Sequence, residues 1–316
     1  MTWRSVDLSS PALAKVLAGV DVVVHLACVD DLEGALAQGH ARRRLAATRA
    51  ARAVLETAAA EGVRHAVVVT SAAVFGARAE GPVPIPDDAP AAEVPDAGVV
   101  GDLREVERVA REVSSASPGL RLACVRPAAL VGEGVDSLTT RHFEAPRLLV
   151  ARDATMLWQF CHVDDLASAV ATIVAKGLEG PYTVGCPGWL GRDDVERLSG
   201  MRRLELSHSL ARATAERLQR VGVLPMPASD LEFVVHPWVV SSQRLLDVGW
   251  RARHDNEACL RALLEQVAGR RANPTERLDR KEAALGAAGA AVALVGTAAV
   301  WRQAKVRQGR RRSGRG

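Results

Sequence analysis

The residues best placed for chemistry stand at the ends of apolar runs. The stretch GVDVVVHLACVDD (residues 19–31) holds a short apolar run closed by His25, Leu26 and Ala27. Such a run reads as a buried parallel strand whose C-terminal end faces a ligand, because parallel sheets are apolar on both faces and bind at that edge. His25 can line a cleft there or be a hydrogen-bonded histidine at a strand end. A second group, His162, Asp164 and Asp165 in CHVDDLASA (161–169), offers an imidazole beside two carboxylates. Its spacing fits a strand-to-helix turn, with Asp164 or Asp165 as cap, better than a catalytic dyad. The five cysteines are scattered without C-x-x-C spacing, so neither a metal site nor a disulfide framework is expected. They read as reduced, buried, apolar residues.

Alternating elements would position these groups. Residues 42–61 form an alanine-rich helical segment that Gly62 ends as a C-cap. HAVVVTS (65–71) is a β-branched strand, and the proline-dense 81–95 is a loop. In GDLREVERVAREV (101–113), Leu103, Val106, Val109, Ala110 and Val113 recur at helical spacing, with Asp102 and Glu105 as a capping box. Residues 120–130 are a further strand, and 158–177 give a strand, a turn and a helix. Alternation on this scale predicts a parallel sheet with helices on both faces. Short helices and loops from 187 to 268 suggest a smaller lobe, followed by a polar linker (269–282), an uncharged run (283–301) and a basic tail (302–316).

Charge excludes one class of partner. The formal charge of +4 includes seven basic residues and no acid from Arg302 onward, so the remaining residues are net negative. Nucleic acid is not an expected ligand of the body. The first apolar run lies among Asp7, Lys15 and Asp21 and does not have the character of a signal peptide, so a cytoplasmic body is expected. The run Ala283–Trp301 approaches the roughly 20 residues that cross a bilayer, yet half of it is alanine. Shallow, peripheral membrane contact through 283–316 is the expectation, against a helix that docks on protein. Oligomeric state stays open.

Several segments, in order, resemble the extended short-chain dehydrogenases/reductases, the NAD-dependent epimerase/dehydratase group. VDLSS (6–10) is similar to that family's aspartate–leucine pair beside adenine, and GVDVVVHLA to its fourth strand. VVVTSAAVFG (67–76) resembles the strand bearing the catalytic serine, and RPAALVGEG (126–134) the stretch past the nicotinamide. CHVDDLASA, PYTVG (181–185) and LLDVGW (245–250) complete the likeness. The resemblance implies an α/β Rossmann-like domain over 1–186, a substrate lobe over 187–268, and a C-terminal apolar helix. It also implies a hydroxylated or nucleotide-sugar substrate. NAD or NADP would lie along Asp7, Leu8, His25, Leu26, Ala27 and Pro127. Arg126, beside Pro127, is expected to be structural.

The same resemblance exposes departures. The family's G-x-x-G-x-x-G loop, whose amides hold the pyrophosphate, has no counterpart in the sequence. The expectation is that the sheet lacks its first strands and that residues 1–316 hold the cofactor weakly or not at all. The family's proton-transferring tyrosine aligns with Val99, its lysine with Leu103, and an asparagine of the preceding helix with Ala47. Residues 96–104 (DAGVVGDLR) contain no tyrosine or lysine, so no shift of register restores the pair. The family's serine survives as Ser71, either a residual catalytic hydroxyl or one satisfied by local backbone. A positioned acid/base contributes about 10²–10⁴-fold in rate. Tyrosine-dependent turnover is therefore expected to be impaired, which leaves a metabolite-binding sensor or scaffold as the alternative.

Overall fold

A computed structural model describes residues 3–27, 39–93, 97–145, 147–152 and 155–207, scattered positions between 209 and 217, and 228–272. The apolar run 283–301 and the basic tail lie outside these residues. Among the described residues no helix is long and apolar enough to cross a membrane.

Helix α1 (Ala12–Leu17) leads into strand β1 (Val22–Leu26), and α2 (His40–Ala60) connects it to β2 (His65–Val69). Helix α3 (Val99–Ala116) joins β2 to β3 (Arg121–Pro127). A longer excursion follows through β4 (Ala129–Val131), α4 (Leu138–Glu144), β5 (Leu148–Ala151), β6 (Phe160–His162) and α5 (Val163–Lys176) to β7 (Gly180–Val184). Then come α6 (Arg192–Ser199), β8 (Arg203–Leu206), a 3-10 segment at 228–234, α7 (Gln243–Asp247) and α8 (Asn256–Ala272). The main sheet is parallel, in the order β1-β2-β3-β7. It advances in one direction only, so these strands contain no point at which the winding reverses.

Strand alternation divides the packing between two faces. Ala66 and Val68 of β2 join Leu55 and Ala58 of α2 and Val106, Val109 and Ala110 of α3 in one core. Val67 and Val69 point the other way and meet Ala169 and Ile173 of α5. A third core lies off this sheet, around β4, β6 and α8. It joins Phe143, Leu148 and Phe160 to Cys186, Val195, Cys259, Leu260 and Leu263, with β4 paired to β6 and β5 to β8. Gln159 sits where this core meets the α5-side core. Its amide donates to the Cys186 and Val240 carbonyls and accepts from the Val240 amide, so a buried polar group is fully paired.

Five local expectations need correction. The helix expected at 42–61 runs from His40 to Ala60, with Glu61 as C-cap and Gly62 one residue on at φ +78°, a left-handed turn that suits glycine. The strand expected over 120–130 breaks at Ala128, and its two parts belong to different sheets. Asp102 and Glu105 do not form a capping box. Helix α3 starts earlier, with Gly98 as N-cap, and the buried Asp102 side chain turns to Arg43 and Arg44 of α2. Neither Asp164 nor Asp165 caps α5: His162 does, its Nδ1 accepting the Asp164 amide at 3.2 Å. The polar linker expected from 269 starts as the last turn of α8.

Candidate functional site

Register brings most of the sequence-selected residues to one sheet edge. Leu26 is level with Val69 of β2, and Val69 with Val125 of β3. Ala27, Ser71 and Pro127 therefore lie within two residues of this level at the C-terminal edge, Pro127 still paired with Val184 of β7. His25 is half-buried, and burial pushes its pKa below the ordinary imidazole value, which favours the neutral ring. Leu26 is exposed, whereas Pro127 is buried at the end of β3. Asp7 and Leu8 belong to a different element, the exposed turn before α1. The Asp7 carboxylate accepts from the Ser9 amide (2.9 Å) and hydroxyl (2.8 Å), and these bonds lower its pKa.

Ser71 has extended backbone and caps the 3-10 turn Ala72–Phe75. Its Oγ accepts the Ala73 amide at 3.1 Å, the local backbone role weighed for it from sequence. Beneath it lies a closed ionic network. Glu107 of α3, fully buried, takes the Thr70 hydroxyl at 2.7 Å and two donors of Arg126, at 3.0 and 2.7 Å. Arg126 also donates to the Ala89 carbonyl and stacks over Phe75 at 4.7 Å. Its guanidinium is therefore committed to the fold, as expected. Pairing and hydrogen bonding offset the large desolvation cost of these buried charges.

Val99 is the first residue of α3, and Leu103, one turn on, is buried. Around them the polar groups pair with each other. Arg43 of α2 binds the Asp102 carboxylate and donates to the Ala97 carbonyl at 2.8 Å, and Arg44 donates to the same carboxylate at 2.9 Å. Arg104 donates to the Val74 carbonyl at 3.0 Å and so fastens α3 to the turn after Ser71. Ala47, on α2, packs against the helix-side core. This arrangement can hold a hydroxylated ligand at Ser71, but neither position in the tyrosine–lysine alignment can move a proton.

The fit to a dinucleotide is incomplete. The sheet edge that would meet adenine and nicotinamide is present. No glycine-rich strand–turn–helix is among the described residues, and the Asp7 side chain meets Ser9 through Oδ1 only. These residues do not build a pyrophosphate cradle.

Sequence reasoning missed two groups. Buried Asp87 accepts from the Thr183 amide and hydroxyl and from Ser241, pinning the proline-rich loop to β7 and the start of α7. His254 donates toward Asp165 at 2.9 Å and stacks on His162 with ring centroids 4.0 Å apart. The H-V-D spacing at 162–164 was the only local signal for the second group, because His254 lies on another segment.

Comparison with known proteins agrees with this architecture. No curated protein sequence matches the chain. Among solved structures it is similar to MoeE5 in complex with UDP-glucuronic acid and NAD, at 20% identity and TM-score 0.60, covering 84% of each chain. It is also similar to RMD from Pseudomonas aeruginosa complexed with NADPH, at 20% identity and TM-score 0.60, covering 84% of this chain and 88% of the other. A UDP-N-acetylglucosamine 4-epimerase from Bacillus cereus matches at 15% identity and TM-score 0.57, covering 84% and 85%. At such identities these likenesses speak to the fold alone. The family model for the NAD dependent epimerase/dehydratase family matches residues 2–185, more than half of the sequence. The chain belongs to the NAD-dependent epimerase/dehydratase family.

Proposed function

We propose that this chain is a family member without tyrosine-dependent redox catalysis, which binds a hydroxylated or nucleotide-sugar small molecule. One observation carries the reading. Where the family resemblance puts a proton donor and its lysine, α3 has Val99 and Leu103, with Asp102 beside them closed off by two arginines. A valine side chain cannot give or take a proton, and the Ser71 hydroxyl is too weak an acid to replace a tyrosine without a base beside it.

NAD or NADP is the cofactor class that the family implies, and relatives of similar fold are named with each. When bound, such a group supplies hydride transfer. Residues 1–316 alone hold it weakly, along Asp7, Leu8, His25, Leu26, Ala27 and Pro127. Isothermal titration with NAD, NADH, NADP and NADPH tests this: tight binding by the unaltered chain would overturn it. Turnover is tested with UDP-sugars by following nicotinamide absorbance. With a glycine-rich strand–turn–helix fused ahead of residue 1 to supply cofactor binding, the otherwise unaltered chain is expected to be silent, and Val99→Tyr with Leu103→Lys to raise activity only as a pair. Activity of the unaltered chain that survives Ser71→Ala would assign proton transfer to another residue.

A non-catalytic sensor or scaffold is the second reading, favoured by the local role of Ser71, whose Oγ accepts the Ala73 amide. In either case the body is cytoplasmic and residues 283–316 make shallow membrane contact. Equal recovery of full-length and 1–282 chains in the soluble fraction of lysed cells would remove the membrane part.

A further inference from the structure

From the juxtaposition of His162, Asp164 and His254 we infer a binding site for a first-row divalent transition-metal ion, zinc being the probe of choice. One donor atom from each of the three residues lies within 4.8 Å of the others. Two come from the start of α5 and one from the segment that enters α8, so the site joins elements about ninety residues apart.

The hydrogen bonds already select which nitrogens carry lone pairs. His254 Nδ1 faces Asp165 Oδ2 at 2.9 Å, and a carboxylate can only accept. The proton is thus on Nδ1, leaving Nε2 as the donor to a metal. Asp165 is 1% exposed and also accepts the Arg253 and His254 amides, at 2.9 and 3.1 Å. It is a fixed carboxylate behind an imidazole, the arrangement that orients metal-binding histidines and raises their basicity. His162 Nδ1 accepts the Asp164 amide, so that nitrogen is unprotonated too, and Asp164 Oδ2 lies 3.5 Å from it.

Metal–ligand distances of about 2.0–2.2 Å require donors that approach one another more closely than the outer separation here. The Asp164 side chain is 71% exposed and can swing inward without disturbing the core. The imidazole rings are inclined at 25°, and closing the site requires them to turn further toward a common point. The metal would also replace the Asp164 amide at His162 Nδ1. Two imidazoles and one carboxylate favour zinc, nickel or copper over magnesium or calcium, which prefer all-oxygen shells. Solvent exposure leaves room for water on the remaining positions.

The test is titration of the full chain with Zn²⁺ by calorimetry, with Co²⁺ substitution read by its visible d–d bands. One ion per chain is expected, with nitrogen-ligand bands for cobalt. His254→Gln and His162→Gln should each abolish saturation, and Asp164→Asn should weaken binding by about tenfold. Asp165 is left intact because it also holds backbone amides, while His40→Ala, at the exposed start of α2, should change nothing. The apo variants are compared by circular dichroism, and the exposed Asp164→Asn change keeps the test open if a histidine variant is misfolded. No saturable binding at sub-millimolar zinc, or equal affinity in well-folded His254→Gln or Asp164→Asn, would overturn the site.

Discussion

Strands β1 and β2 have nearly the same chemistry, VVVHL against HAVVV, and opposite surroundings. Every β2 residue is buried. In β1, Val24 is 41% and Leu26 62% exposed. The pairing explains the difference: Val24 is level with Val67 and Leu26 with Val69, residues that are fully buried beneath α5. Helix α5 covers that face over β2 and β3, while the same face of β1 stands open among the described residues. On the opposite face Val23 joins the α2–α3 core. An apolar run thus specifies a strand that can be buried on both faces; whether it is buried depends on the neighbours supplied elsewhere in the chain.

The largest expected effect lies under the buried half of the sheet. Glu107→Ala would leave Arg126 charged and unpaired, at a cost of about 3–5 kcal/mol. Urea denaturation measures this, and a loss below 1 kcal/mol would mean that the network relaxes around the vacancy.

Two histidines extend the comparison to pH. His25, on β1, is only half-buried. His142, on α4, is buried, has no hydrogen-bond partner for Nε2 among the described residues, and lines a cavity of about 10 Å³. Burial takes its pKa down from 6.5 to about 4. Its neutral form favours folding above the unfolded-state value, and that stability is lost as pH falls from 6.5 through about 4. The loss amounts to about 3 kcal/mol over the window. His142→Gln should flatten stability against pH in that range; an unchanged slope would show that other groups govern acid unfolding.

Matched truncations test the strands directly. Val67→Ala should cost about 2 kcal/mol in lost burial and cavity, whereas Val24→Ala should stay within about 0.5 kcal/mol. Equal costs would mean that β1 is covered in solution. The smallest effect on stability is expected from Leu26→Ser, for which light scattering is the better readout: self-association through the open face should fall.

Much of the sheet was legible because its signals are local. β-branched runs marked β1 and β2 to within two residues, alanine-rich composition marked α2, and helical spacing found α3. The failures share a cause in long-range pairing. Asp102 looked like a cap because capping is read from neighbours in sequence, but its partners lie on α2. His254 carried no signal at all, since Asp165 is its partner only after folding. The break at Ala128 was hidden by the apolar Ala128–Leu130 that continues the segment, although Pro127, lacking an N–H, was a fitting last residue for β3. In the candidate site, the sequence named Ser71 and the strand ends, which the fold brings to one sheet edge, whereas the pairing of Arg126 with Glu107 required the fold.

Gln159 has a consequence for how this chain can vary over generations. A methyl group at Gly185 would sit 2.8–2.9 Å from the Gln159 amide atoms, closer than real side chains approach. That amide cannot swing aside without surrendering its bonds to Cys186 and Val240. Positions 159 and 185 are therefore not free to drift separately: alanine at 185 becomes acceptable only in a lineage where 159 has already shortened. The glycine is required by its partner's commitments, so changes at the two sites should be tolerated only together.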